Sequence, residues 1–282
     1  PYRRQRQMCI RDRIKEWCYH EGKTFWEYVS DCEGPEIWDY LDTVWETMCA
    51  TIQRGLNNDG VLPGGLKVAR KASTYWVKSK SYTDSLKSRA QIYAYALATS
   101  EENASGGTVV TAPTCGSCGV VPAVLYHLAN SRNFLRIRIL RALATAGLFG
   151  NVAKTNSSIS GAEVGCQGEV GVACAMAAAA ACQLFGGTPS QIEYAAEVAM
   201  EHHLGLTCDP ICGLVQIPCI ERNAVAAKRA IDSANLAHML VGTRTISFDM
   251  VVRTMYETGV SMNRAFRETS EGGLAKLYSR RA

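Results

Sequence analysis

Apolar residues in this chain recur at steps of three and four, and that spacing confines most of it to helices. In "EIWDYLDTVWETMCATIQRGL" the series Ile37, Leu41, Val44, Met48 and Ile52 falls on one stripe of an amphipathic helix. "GGTPSQIEYAAEVAMEHHLG" carries its own punctuation: Thr188 as N-cap, Pro189 at the first helical position, Gln191 completing a capping box and Gly205 at the close. "NFLRIRILRALATAGLFG", "GVACAMAAAAACQLFG" and "CIERNAVAAKRAIDSANLAHML" read as further helices. Runs of β-branched residues bounded by turns are scarce, and "GGTVVTAP" is the best strand candidate. No repeat of fixed period and no low-complexity linker divides the chain. The pattern predicts an all-α fold, a single mainly helical domain over residues 14–282.

Residues 1–13, "PYRRQRQMCIRDR", stand apart. They show neither periodicity and read as a leader foreign to the fold, which places the native N-terminus outside this sequence. They also account for the formal charge of +4: five arginines face Asp12, and the rest of the chain balances 25 basic against 25 acidic residues. A neutral body argues against a nucleic-acid partner, whose phosphates require a basic face. The most apolar run, "GVACAMAAAAACQLFGG", is too short and too alanine-rich to cross a bilayer, and residues 1–13 are too polar for an export signal. Twelve cysteines without such a signal point to a reducing cytoplasm, where they serve as small buried residues, metal ligands or nucleophiles.

Three glycine-rich junctions break the helical pattern: "ENASGGTVVTAPTCGSCGVVPA", "NSSISGAEVGCQGEVG" and "LTCDPICGLVQIPC". Each leads into an apolar helix and leaves backbone N–H groups free at a helix N-terminus, a seat for a carboxylate or another anion. Each also carries cysteine, which predicts a common site.

The cysteines sort by context. Cys115 and Cys118 form a C-x-x-C, but zinc would want a second pair and a redox dithiol a neighbouring βαβ unit. Cys174 and Cys182 lie on the alanine-rich helix and read as core; Cys18, Cys32 and Cys49 read as packing residues. Cys208, Cys212 and Cys219 are spaced C-x3-C-x6-C, which fits neither a zinc knuckle nor a thioredoxin pair. Cys166, Cys208 and Cys219 share glycine or proline neighbours at a junction, and spacing alone does not bring them together.

"VVTAPTCGSCGVVPAVL", "NSSISGAEVGCQGEVGVACAMAAAAA", "MEHHLGLTCDPICGLVQIPCIERNA" and "MYETGVSMNRAFRETSEGGLA", in that order, resemble the iron–sulfur L-serine dehydratases. The likeness runs from about residue 35 to residue 275 and is to the α chain, or to the C-terminal catalytic domain of single-chain members. It implies a [4Fe-4S] cluster held by Cys166, Cys208 and Cys219, with Cys212 and Cys115 outside the ligand set. Three thiolates leave one iron open to act on L-serine as a Lewis acid, stabilising the departing hydroxide while a base takes the Cα proton. The aminoacrylate so formed hydrolyses through its imine to pyruvate and ammonia. No pyridoxal phosphate is expected, since that cofactor needs a Schiff-base lysine and an α/β fold with a phosphate loop.

The resemblance also implies supporting roles. Asn103, Ser105, Thr114 and Ser117 match motifs that would hold the substrate carboxylate, although such residues equally stabilise turns. Lys154, Asn156 and Ser160 would contact substrate, with a solvated lysine as the plain alternative. His202 in "MEHHLG" would be the base, although a helix C-terminus favours histidine anyway. Glu163 and Glu169 flank Cys166 and would bond groups behind the thiols. The serine- and histidine-rich segment of the family's other domain is missing here, so a β chain or β domain is an expected partner, and an oligomer is expected. "GGLAKLYSRRA" lacks the cysteine that many members carry near that end. Two other readings stay open: a related L-cysteine desulfidase, and a non-catalytic iron–sulfur helical subunit.

Overall fold

The computed structural model describes residues 9–239, 242 and 244–279. A π-helical turn, Ile10–Lys15, runs directly into α1 (Glu16–Glu21). There follow α2 (Phe25–Glu33), α3 (Ile37–Leu56), α4 (Ala72–Ser79), α5 (Asp84–Ala104), α6 (Val120–Arg132) and α7 (Arg136–Asn156). After these come α8 (Gly161–Val164), α9 (Val172–Leu184), α10 (Pro189–Glu201), α11 (Cys219–His238), α12 (Phe248–Ser261) and α13 (Gly273–Ser279). Among the described residues β-structure is limited to two isolated bridges, Val61 with Ala69 and Cys208 with Arg267. The all-α expectation holds. None of the described helices is long and apolar enough to cross a membrane.

Helix α9 sets the architecture. A helix apolar on every side must be surrounded, and α6, α7, α10 and α11 pack around it. Every residue from Val172 to Cys182 is buried. Gln183 alone in α9 escapes full burial, and its side-chain oxygen accepts a hydrogen bond from Thr145. Small side chains let the neighbours approach closely: the Cys174 thiol reaches the Ala226 carbonyl of α11 at 3.3 Å. On α7, a Cβ at Gly150 would lie 2.9 Å from Met176 Sδ. Away from this centre, edge-to-face contacts of Phe149 with Phe25 and Phe248, at 5.5 and 5.0 Å between ring centroids, tie α7 to α2 and α12.

Local rules survive where no tertiary partner overrides them. The stripe of α3 buries Leu41, Met48 and Ile52 as its spacing predicts, with Trp45 taking the buried place expected of Val44. At α10 the Thr188 hydroxyl accepts from Gln191 N–H, the Gln191 side chain accepts from Thr188 N–H, and Pro189 opens the helix.

One expectation changes. "GGTVVTAP" is an extended loop without a ladder partner; the Thr108 carbonyl is satisfied by side chains of α3 instead, Thr51 Oγ1 at 2.9 Å and Arg54 Nη2 at 2.6 Å. Residues 10–13 lie in the first π-helical turn, with Asp12 and Arg13 exposed. Ile10 is fully buried, the backbone N–H groups of Ile10 and Arg11 donate to the Asp249 carboxylate, and Arg11 Nε pairs with Glu193 at 3.1 Å.

Candidate functional site

The central helix α9 and two of the helices around it, α6 and α11, begin at the glycine-rich junctions. They pack on one another, and the junctions leading into them touch: the 3-10 turn Cys115–Ser117 meets the π-helical turn Gln167–Gly171, and both meet α11. The partial positive ends of three helices therefore face one region, which favours anionic groups there.

The thiols of Cys166, Cys208 and Cys219 meet in this region. All three are buried and free. Cys208 hydrogen-bonds Cys166, which favours the thiolate at Cys166, an effect reinforced by the Arg222 guanidinium; Cys208 is correspondingly held as the thiol. Cys219 is pushed up to about 12, first by burial and then by negative charge on Cys166 and Glu169. Stripping all three protons thus requires strong positive charge among the sulfurs. Among the described residues no three His, Cys, Asp or Glu side chains are drawn together tightly enough for a single metal ion.

A carboxyl closes the other side. Glu169 Oε1 accepts the Thr114 hydroxyl at 2.7 Å, and its Oε2 lies 3.8 Å from Cys208 Sγ. Burial raises its proton affinity, opposed by the Thr114 bond. Glycines make room for it: a Cβ on Gly116 would sit 3.0 Å from Oε1, and one on Gly161 would sit 2.6 Å from Oε2 and 3.0 Å from Cys208 Sγ. Thr114 also forms a hydroxyl pair with Ser117 at 3.1 Å.

Backbone anchoring fixes the thiol-bearing loops. Gln167, fully buried beside Cys166, donates to the carbonyls of Val164 and Met255 and accepts from Gly205 N–H. Cys208 is held by the segment after α12: its N–H donates to Phe266, and its carbonyl accepts from Glu268 N–H at 2.6 Å. Next to it, Asp209 Oδ2 accepts Leu274 N–H at the start of α13. From the first turn of α11, Arg222 donates to the Thr207 carbonyl at 2.6 Å. Asn223, one residue on, bonds both Gly116 and Gly119.

The structure thus brings together Cys166, Cys208, Cys219, Thr114 and Ser117 of the predicted set. Ser160 sits nearby as the residue before α8, its N–H taken by the Ser158 hydroxyl. Others lie elsewhere. His202 caps α10 with its side chain 53% exposed and Nδ1 donating to Val198 O; its neighbour His203 is buried, which pushes it down to about 4. Ser105 accepts from Arg70 in a polar group around Glu102, and Asn103 precedes it at the end of α5. Lys154 and Asn156 are exposed at the end of α7. Cys212 and Cys115 are exposed, and Cys32, expected to pack, is exposed at the end of α2. Arg222, Asn223 and Gln167 were not singled out by sequence, although positions three and four beyond Cys219 share its helix face.

Fold and site together define a helical protein built round an alanine-rich axis, with three buried thiols at the meeting point of three helix starts. Residues 8–275 match the family described as "Serine dehydratase alpha chain", and the chain belongs to that family. It is 53% identical over 245 residues to L-serine dehydratase 1 of Escherichia coli K12, covering 85% of this chain and 54% of that protein. L-serine dehydratases of Haemophilus influenzae and Streptomyces coelicolor are each 50% identical, over 84% and 85% of this chain and 53% of each relative. The chain therefore spans about half the length of the curated relatives it matches.

Proposed function

We propose that this chain is the α part of an enzyme that deaminates L-serine to pyruvate and ammonia, and that Cys166, Cys208 and Cys219 hold a [4Fe-4S] cluster. The observation that carries this reading is the meeting of three buried, unpaired thiols 42 and 11 residues apart in sequence. Cys166, Cys208 and Cys219 would hold the cluster through three thiolates, the donor type that iron–sulfur centres take. Arg222 and three helix N-termini offset the negative charge such a centre brings. When bound, the cluster supplies a Lewis-acidic iron for departure of the β-hydroxyl.

The chain's own residues prepare the place for substrate. The glycine backbone of the turn that Thr114 and Ser117 hold offers N–H donors to the serine carboxylate. Glu169, oriented by Thr114, limits the space on the side of Cys208. The β chain or β domain completes the enclosure, consistent with relatives about twice as long.

Anaerobic reconstitution of the chain with iron and sulfide, followed by L-serine titration, tests the reading. Four irons per chain with one Mössbauer site shifting on serine is the expected result, and a Cys219→Ser variant should fail to hold the cluster. A chain that takes up no cluster, or a Cys219→Ser variant that holds one normally, would overturn the reading.

A further inference from the structure

Asn223 is 1% exposed, and both its amide hydrogens and its oxygen are bonded. Oδ1 accepts Gly119 N–H at 2.9 Å, while Nδ2 donates to the Gly116 carbonyl at 2.7 Å and the Cys219 carbonyl at 2.8 Å. One side chain thus spans two junctions, joining the first turn of α11 to both ends of the turn Gly116–Gly119. That turn is pressed from the opposite side as well: a Cβ at Gly119 would stand 2.6 Å from both Ala96 O and Ser100 Oγ. Within it Gly116 packs on Glu169, Thr114 bonds Glu169, and Cys118 is fully buried beneath.

We infer that Asn223 is a positioning residue which sets the distance between the Cys219 helix and the Gly116–Gly119 turn, and thereby the placement of that turn's backbone against the substrate carboxylate. The inference rests on the serine dehydratase reading for its ligand, but not for its geometry. An amide is required because the three partners are one donor and two acceptors. A carboxylate of the same shape keeps the bond to Gly119 and turns its other oxygen toward two carbonyls. Leaving buried carbonyls facing that oxygen costs more than losing the bonds, so the turn moves away from α11.

Two readouts separate the parts of the argument. The first is maleimide labelling of the reconstituted chain, mapped by mass spectrometry. In Asn223→Asp the buried Cys118 should label at least about tenfold faster, whereas Cys174 on α9 stays protected and reports an intact core. The second is the serine concentration that half-saturates the Mössbauer change, which should rise about tenfold with the iron content per chain unchanged. Should Asn223→Asp fail to fold, Asn223→Ser, which keeps one hydroxyl, carries the same test. Protection of Cys118 at the unaltered rate overturns the inference. So does release of Cys118 with serine half-saturation within twofold, or loss of iron in parallel with labelling, which would make Asn223 a support of Cys219 alone. Absence of a cluster in the unaltered chain overturns the underlying reading, and is told apart because labelling of Cys118 does not require one.

Discussion

The side-chain oxygen of Gln167 accepts the backbone N–H of Gly205 at 3.0 Å, so the neighbour of one thiol holds the loop that leads to the next. Its amide nitrogen donates to Val164 and Met255 at 2.8 and 3.0 Å. Gln167→Ala strands the buried carbonyls of Val164 and Met255, and should lower stability by about 2 kcal/mol. Urea unfolding of the chain in reductant checks this; a loss under about 1 kcal/mol would show that the loop holds without it.

Gly165, just before Cys166, has φ +75° and ψ −174°, a region essentially reserved for glycine. A Cβ there would also stand 2.8 Å from the Leu206 carbonyl. Gly165→Ala should cost about 2 kcal/mol or more and separate the Cys166 and Cys208 loops. Iron uptake measured beside urea stability should fall further than the stability loss alone explains.

Helix α9 has no slack for volume. Ala177 is fully buried in a helix wrapped by four others. Ala177→Leu should destabilise by about 3 kcal/mol through overpacking, whereas Ala177→Ser should be tolerated better because little volume is added. Paired thermal melts decide the order; a stable leucine variant would mean the helices can part.

Buried thiols make the fold sensitive to alkali. Burial pushes Cys182 from 9.0 up to about 12. Between those values the unfolded chain has released this proton and the folded chain keeps it, so stability falls as pH rises, by about 1.4 kcal/mol per pH unit for a fully shifted thiol. Below about pH 9 the thiol is protonated in both states and contributes no slope. Urea titrations in reductant from about pH 8.5 to about pH 10.5 should show this decline, and Cys182→Ala should be shallower by that amount. Equal slopes would show that Cys182 ionises in the folded chain.

Helices were legible because their signals are local. The Thr188–Gln191 box, Pro189 and the stripe of α3 obey rules that need no partner. The convergence of Cys166, Cys208 and Cys219 was legible only through resemblance, since it depends on how α6, α9 and α11 pack. Glu169 and Thr114 became partners for the same reason: 55 residues of chain separate them. In "EHHLG" sequence pointed to His202, but the helix turns its neighbour His203 inward, where a Cβ on Gly171 would meet it at 2.9 Å. "GGTVVTAP" resembled a strand because its β-branched residues favour extended backbone, and only Thr51 and Arg54 of α3 show why no second strand is needed.

The pairing of Cys208 with Phe266 and Glu268, and of Asp209 with Leu274, also orders events in time. A ribosome releases the three thiol loops tens of residues before the segment that closes over Cys208. Until that segment arrives the sulfur-bearing loop lacks its backbone partners, so the nascent chain carries open thiols rather than a finished pocket.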